Sequence, residues 1–89
     1  MGLPMRETAT VLLFAMARAA AGRDRLEWPV GPTGLPATAL VEALAGSYPK
    51  LGPVLRTSRF VLNGEYLARL TTRVRPGDEF AVHPPYGGG

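Results

Sequence analysis

The 89-residue sequence contains no cysteine and only one histidine. The absence of cysteine excludes a thiol nucleophile, a disulfide framework and a cysteine-ligated metal site. A single histidine, His83, does not form a histidine-rich metal site by itself. We therefore predict that the chain binds no metal ion.

Long apolar runs are also absent. No stretch approaches the roughly 20 residues of a membrane-spanning helix. Residues 11–21 have a composition like that of a short signal-peptide core, but Arg18 interrupts them and they fit a strand and a helix of the fold. We expect a cytoplasmic protein with no membrane partner.

The formal charge is +3, and the positive excess lies in residues 51–76. That stretch carries one acidic residue, Glu65, against five arginines: Arg56, Arg59, Arg69, Arg73 and Arg75. Such an excess is compatible with an RNA-binding stripe or with a solvated surface. Aromatic residues do not interleave with these arginines as a base-stacking platform requires, so we favour the solvated surface and no nucleic-acid partner.

The length predicts one small domain, since a chain of this size buries only about 60% of its unfolded surface. A deep cavity that encloses a substrate is therefore not expected. We predict that residues 8–83 form the domain, that residues 1–7 are a loose leader, and that residues 84–89 are a flexible glycine-rich tail.

In the first part of the domain, Thr8–Ala15 is apolar and β-branched, which favours a strand near the middle of a sheet. The alanine-rich Met16–Ala21 predicts a short helix that stops at Gly22. Apolar and polar residues alternate in Arg25–Val30, as in a half-buried strand.

The main helix is predicted after a turn at residues 31–34. Thr38 is a candidate cap, and Pro49 ends the helix. Four side chains share one helical face: Leu40, Val41, Leu44 and Tyr48. Residues 50–57 have no clear period, which indicates a loop or a 3₁₀ turn.

Three strands are predicted in the last part of the domain. Asn63-Gly64 is a strong hairpin signal between Arg59–Leu62 and Glu65–Leu67, because both residues tolerate positive φ. A turn at residues 75–78 precedes the last strand, Glu79–His83. The order β, α, β, α, β, β, β favours an α+β fold, in which one main helix packs on one face of a mixed sheet of about five strands.

After the last strand the sequence reads Pro84-Pro85-Tyr86-Gly87-Gly88-Gly89. The prolines stiffen the exit from the fold, and glycines without Cβ fit a narrow channel. The sequence supplies no phosphate-cradling loop and no evident acid–base pair. We therefore expect the reactive group to be the terminal carboxylate of Gly89, activated by another protein.

This tail, together with Arg75-Pro76-Gly77-Asp78-Glu79, resembles the ubiquitin-like sulfur carriers of the MoaD/ThiS group. Within that group the chain is most similar to the MoaD family, the small subunit of molybdopterin synthase. Further matches lie in Leu13-Phe14-Ala15, in Pro36-Ala37-Thr38 and in Val61-Leu62-Asn63-Gly64. The resemblance covers residues 8–89.

The resemblance implies a ubiquitin-like β-grasp fold and a cycle of sulfur transfer. An E1-like enzyme uses ATP to adenylate the carboxylate of Gly89, and a sulfur donor converts the adenylate to a thiocarboxylate. The large subunit of molybdopterin synthase then takes the tail into its active site. There the sulfur builds the dithiolene of molybdopterin, for molybdenum cofactor biosynthesis. The chain itself is then no enzyme and binds no cofactor.

The resemblance also implies two sets of contact residues. The tail residues that enter the partner's active site are Pro84, Pro85, Tyr86, Gly87 and Gly88. Three further residues fall at partner-facing positions: Phe14, Arg18 and His83. The family often has an aromatic residue where His83 stands.

Three alternatives remain open at this point. A related carrier would deliver sulfur for thiamin, cysteine or tRNA thiolation. A ubiquitin-like modifier would be joined to lysines through Gly89, and Lys50 is the only lysine of this chain. A plain binding module would add a strand to the edge of a partner's sheet.

Overall fold

The computed structural model describes residues 7–85. The tail residues 86–89 and all of the predicted leader except Glu7 lie outside this part. The elements are, in chain order, β1 (Thr8–Leu13), α1 (Ala15–Ala21), β2 (Arg25–Pro29), β3 (Leu35–Pro36), α2 (Ala37–Ser47), α3 (Leu51–Thr57), β4 (Arg59–Leu62), β5 (Glu65–Tyr66), β6 (Arg73–Val74) and β7 (Glu79–His83).

Five of the strands form one sheet in the spatial order β2-β1-β7-β4-β5. The neighbours β1 and β7 are parallel, whereas the other three neighbouring pairs are antiparallel. This confirms the predicted mixed sheet. The last strand occupies its centre, so its end and the following residues leave the fold between β1 and β4.

The core lies between the inner face of this sheet and the helices. Every second residue of β1 is buried, because successive side chains of a strand point to opposite faces, and Phe80 and Val82 of β7 are fully buried beside them. Leu40 and Leu44 of α2 pack against the same cluster, which confirms the predicted helical face. All buried side chains of residues 7–85 are apolar.

The prediction of a loop or 3₁₀ turn at residues 50–57 is wrong, because Leu51–Thr57 is an α-helix. Leu51 and Leu55, one turn apart, are both buried and hold the helix on the core. Pro53 does not break it, since an N–H in the first turn has no intrahelical partner to lose. Helices α3 and α2 pack closely at Gly52, where an added Cβ would lie 3.8 Å from the Cβ of Ala45, an ordinary van der Waals contact.

The prediction that Thr38 caps the main helix is also wrong. The helix begins one residue earlier, and its cap residue, Pro36, has no side-chain donor or acceptor. The first backbone N–H groups are instead satisfied by a distant loop: Ala37 donates to the Thr72 carbonyl at 2.8 Å and Thr38 to the Leu70 carbonyl at 2.9 Å. The Thr38 hydroxyl donates to the same Leu70 carbonyl at 3.0 Å.

Two short strands, β3 and β6, were not predicted from the sequence and form a separate antiparallel ribbon. Arg73 joins its two sides, because its guanidinium donates to the carbonyls of Thr33 at 3.1 Å and Gly34 at 2.9 Å. Gly34 has φ +83°, and a Cβ there would lie 2.4 Å from the Val74 carbonyl oxygen. Only glycine fits this approach.

The start of β7 is fixed by a hydrogen-bonded corner. Asp78 accepts from the Asn63 side chain at 3.0 Å and from the Arg75 backbone at 2.8 Å. The Asn63 side chain in turn accepts from the Glu79 backbone at 2.8 Å. The Gly-Asp-Glu segment and the Asn-Gly hairpin therefore act together to set where the last strand begins.

Candidate functional site

The candidate site lies at the end of β7, where the chain leaves the sheet. His83 is the last strand residue, and Pro84 and Pro85 follow it directly. In the parallel ladder Leu13 lies opposite Val82, so the next residues of both segments, Phe14 and His83, come side by side. Their rings stack with centroids 4.8 Å apart and planes inclined by 15°.

Phe14 belongs to the surface and not to the core. It is 42% exposed, although the β1 residue before it is buried. Ala15, the residue after it, has φ +50°, a left-handed conformation that is unfavourable for a residue with a Cβ. This backbone turn ends β1 and starts α1 while the Phe14 ring stays beside His83.

Arg18 lies on the same side of α1 as Phe14. The two residues are four positions apart, and the Arg18 backbone N–H donates to the Phe14 carbonyl at 3.3 Å. Both residues line a pocket of about 290 Å³ that also reaches Arg25. The structure thus brings the three predicted contact residues to one end of the sheet, and their role towards a partner stays a prediction.

Two residues of this end were not singled out from the sequence. Arg59 of β4 lies directly opposite His83 in the antiparallel ladder, on the side of β7 away from Phe14. Met16 is 55% exposed in the first turn of α1. The position of Arg59 depends on the register between two distant strands, which the sequence does not reveal. For Met16 a signal was available, because it is a large apolar residue in the first turn of an alanine-rich helix.

The predicted reactive residue, Gly89, and the tail residues Tyr86, Gly87 and Gly88 lie outside the described residues. Pro84 is half-buried and Pro85 is exposed. The described part of the tail therefore begins at the Phe14–His83 stack and runs outward from it.

The described residues provide a surface and not an enclosed reaction centre. Among residues 7–85 there is no group of three or more histidine, aspartate or glutamate side chains that could hold a metal ion. The same residues contain no helix that is long and apolar enough to cross a membrane. This end of the sheet presents an exposed aromatic pair with the cationic side chains of Arg18 and Arg59 as neighbours.

Comparison with known proteins identifies the family. The model of the ThiS family matches residues 11–89, which include the stack, both prolines and all three final glycines. The chain belongs to the ThiS family. Within this family it is 34% identical over 80 residues to the molybdopterin synthase sulfur carrier subunit of Chlamydomonas reinhardtii, with 89% of this chain and 95% of that protein covered.

Solved structures of similar proteins confirm the ubiquitin-like β-grasp fold of this ThiS-family chain. The crystal structure of small archaeal modifier protein 1 (SAMP1) from Haloferax volcanii superposes with a TM-score of 0.76 at 30% identity, covering 92% of this chain and 99% of that one. A chain in the complex of subunits 1 and 2 of the molybdopterin-converting factor from Helicobacter pylori gives 0.63 at 18% identity, covering 92% and 99%.

Proposed function

We propose that this chain is the sulfur-donating small subunit of a molybdopterin synthase. The observation that carries the proposal is the stacked Phe14–His83 pair at the root of a tail that reads Pro-Pro-Tyr-Gly-Gly-Gly. The pair offers a partner an apolar contact at the point where the tail departs. The Chlamydomonas reinhardtii relative, a molybdopterin synthase sulfur carrier subunit, supports the same assignment.

The chemistry begins at the carboxylate of Gly89. A terminal carboxyl group has a pKa of roughly 3.3–3.7, so it is ionised and unreactive at neutral pH. Its oxygen attacks the α-phosphorus of ATP in an E1-like partner, pyrophosphate leaves, and an acyl adenylate forms. A sulfide-level donor then attacks the acyl carbon and AMP leaves, which produces the thiocarboxylate. The sulfur finally passes to the pterin precursor in the large subunit.

The length of the tail and the entropy lost when it is ordered determine which contacts the partner must provide. The six residues from Pro84 to Gly89, nearly extended, span up to about 20 Å. Ordering three glycines costs on the order of 3–6 kcal/mol in backbone entropy. The two prolines lower this cost because they restrict the free tail. Contacts of Phe14, His83 and Arg18 with the partner offset the remainder.

The test is a reconstituted transfer assay. The chain carrying a thiocarboxylate at Gly89 is mixed with a molybdopterin synthase large subunit and its cyclic pyranopterin phosphate substrate. The proposal expects one dithiolene for every two thiocarboxylated chains, because each chain delivers one of its two sulfur atoms, and return of Gly89 to the carboxylate. Binding without sulfur transfer would instead assign the chain to another acceptor, such as a thiamin precursor, a cysteine-synthesis intermediate or tRNA.

A protein modifier is the second candidate function, and the 30% identity to SAMP1 from Haloferax volcanii favours it. A modifier forms an isopeptide bond between Gly89 and a lysine of a target. Such conjugates survive reductant and hydroxylamine, whereas acyl adenylates and thioesters do not. Stable higher-mass species that contain the Gly89 peptide would favour the modifier, and their absence in cells that make molybdopterin would favour the carrier.

A further inference from the structure

An open apolar groove of about 700 Å³ lies at the β4–β5 side of the fold, and among its lining residues is Arg59, which pairs with His83 in the sheet. Helix α2, the α3–β4 segment and residues 66–70 bound it, and we call it the α2–β5 groove. Its apolar lining includes Val41, Ala45, Leu55, Phe60, Leu67 and Leu70. The sulfur-transfer cycle assigns no task to this surface.

The strand beside the groove, β5, has an open edge. Strand β5 is the last in the sheet order, and its Tyr66 is 67% exposed. The Leu67 N–H donates to the Phe60 carbonyl at 2.9 Å, which makes this pair hydrogen-bonded. Hydrogen-bonded and non-hydrogen-bonded pairs alternate along an antiparallel ladder. The neighbouring pair Val61–Tyr66 is therefore not hydrogen-bonded, and the backbone N–H and C=O of Tyr66 point away from β4.

The rim of the groove is cationic along its α3–β4 wall. Arg56 and Arg59 both line it and are exposed, and within residues 7–85 neither forms an ion pair. The Arg59 guanidinium donates to the Tyr66 hydroxyl at 3.5 Å and its central carbon lies 5.7 Å from the ring centroid. The acidic lining residue, Glu42, lies on the opposite wall, on α2. Carboxylates of a partner placed at the Arg56–Arg59 wall could form ion pairs with two guanidinium groups that have no acidic partner among the described residues.

We propose that the α2–β5 groove binds an extended segment of a partner protein in which apolar and acidic residues alternate. The segment adds a strand to the edge of β5 and pairs with the outward backbone groups of Tyr66. Successive side chains of a strand point to opposite faces, so one set enters the apolar groove and the other reaches the rim with Arg59. The proposal does not depend on Gly89 or on the sulfur-transfer function.

The probe for the test is a short synthetic peptide of alternating leucine and glutamate, titrated into the full ¹⁵N-labelled chain and followed by amide chemical shifts. A peptide of the same length with lysine in place of glutamate is the control. The proposal expects shifts confined to α2, residues 55–60 and residues 66–70, and weaker binding of the lysine peptide. Shifts elsewhere, equal binding of both peptides or no binding would overturn it.

Charge reversal tests the rim. In the double variant Arg56→Glu with Arg59→Glu, we expect the affinity for the glutamate peptide to fall about tenfold, since two surface ion pairs become repulsions. The matched control is Arg23→Glu with Arg75→Glu, which makes the same change in net charge at exposed positions outside the groove. Equal losses in both variants would show a general charge effect and contradict the proposal.

A second pair of variants tests the backbone pairing. Tyr66→Pro removes the outward N–H but leaves the β4–β5 ladder intact, since proline is tolerated on an edge strand where its N–H side faces solvent. Tyr66→Ala removes the same ring but keeps the N–H. We expect the proline variant to bind the glutamate peptide about fivefold more weakly than the alanine variant, the value of one lost hydrogen bond. Equal affinities would contradict strand addition, provided that both variants keep dispersed amide spectra.

A single-stranded RNA of equal charge provides the last arm, because Arg56 and Arg59 also suit phosphates. The proposal expects no RNA-induced shifts in the apolar lining, at Val41, Ala45 and Leu67. If RNA binds these arginines more tightly than the glutamate peptide does, the groove is not the peptide site proposed here.

Discussion

The ring of Phe14 lies 4.8 Å from the imidazole of His83 and nearly parallel to it, at the point where the last strand gives way to Pro84. The two residues come from opposite ends of the chain. The parallel pairing of β1 with β7 aligns them. The stack thus joins the surface of the fold to the first residue of the tail.

The first prediction concerns this stack. We expect Phe14→Ala to weaken binding to the large subunit about tenfold, because truncation of a central aromatic contact commonly costs over 1 kcal/mol. His83→Phe keeps a ring at the second position and is expected to bind at least as well as the natural chain. Isothermal titration calorimetry measures both. Unchanged binding in Phe14→Ala would remove the stack from the interface.

The stack also has an intramolecular prediction. In a double-mutant cycle with Phe14→Ala and His83→Ala, we expect a coupling of about 0.5–1 kcal/mol in the free energy of unfolding, at the low end for aromatic pairs because both rings are exposed. By contrast, Phe80→Ala is expected to cost about 3–5 kcal/mol, since Phe80 is fully buried. Denaturant unfolding measures all four variants. A coupling free energy near zero would mean that the contact between the two rings does not stabilise the fold.

A pair of glycines separates backbone strain from steric overlap. Gly22 and Gly34 both have positive φ, but a Cβ at Gly22 meets nothing within 4 Å whereas at Gly34 it meets the Val74 carbonyl oxygen at 2.4 Å. We expect Gly22→Ala to cost about 1–2 kcal/mol, the price of a left-handed conformation. Gly34→Ala is expected to cost at least about 3 kcal/mol, because the overlap adds to that strain. Equal losses of stability in urea titrations would contradict the close packing of β3 against β6.

The corner at Asn63 has its own prediction. Its backbone has φ +51°, and its side chain bonds both Asp78 and the Glu79 N–H. Asn63→Gly keeps the positive φ and loses the side-chain bonds, with an expected cost of about 1 kcal/mol because the corner is exposed. Asn63→Ala loses both, and we expect about 1 kcal/mol more. Thermal unfolding checks the order, and an alanine variant as stable as the glycine variant would contradict it.

Removal of Gly88 and Gly89 separates function from folding. The buried core of the described residues lies within residues 9–82, so the free energy of unfolding is expected to change by less than about 0.5 kcal/mol. Sulfur transfer is expected to be lost completely, because the group to be activated is gone. Retained function in the truncated chain would favour a plain binding module over any carrier.

The sequence was informative where local chemistry decides the structure. The apolar, β-branched run of β1, the alternation in β2, the helical face of Leu40 and Leu44, and the Asn63-Gly64 hairpin all predicted what is observed. Helix α3 was missed because Gly52 and Pro53 weaken a local helix signal, whereas the burial of Leu51 and Leu55 that stabilises it is a tertiary effect.

The candidate site also has features that the sequence predicts and features that only the tertiary structure reveals. The tail motif is visible in the sequence, and family resemblance pointed to Phe14, Arg18 and His83. The contact between Phe14 and His83, the place of Arg59 opposite His83 and the α2–β5 groove depend on strand register between distant segments. Periodicity within one segment carries no information on such registers.

The most direct test of the central claim is the mass of the C-terminal peptide after the full chain is incubated with an E1-like enzyme, ATP and a sulfur donor. The carrier hypothesis predicts that this peptide gains the mass difference of one oxygen replaced by one sulfur, at Gly89 and only when ATP is present. If Gly89 keeps an unmodified carboxylate while the same enzyme activates another carrier in a parallel reaction, the proposed function is contradicted.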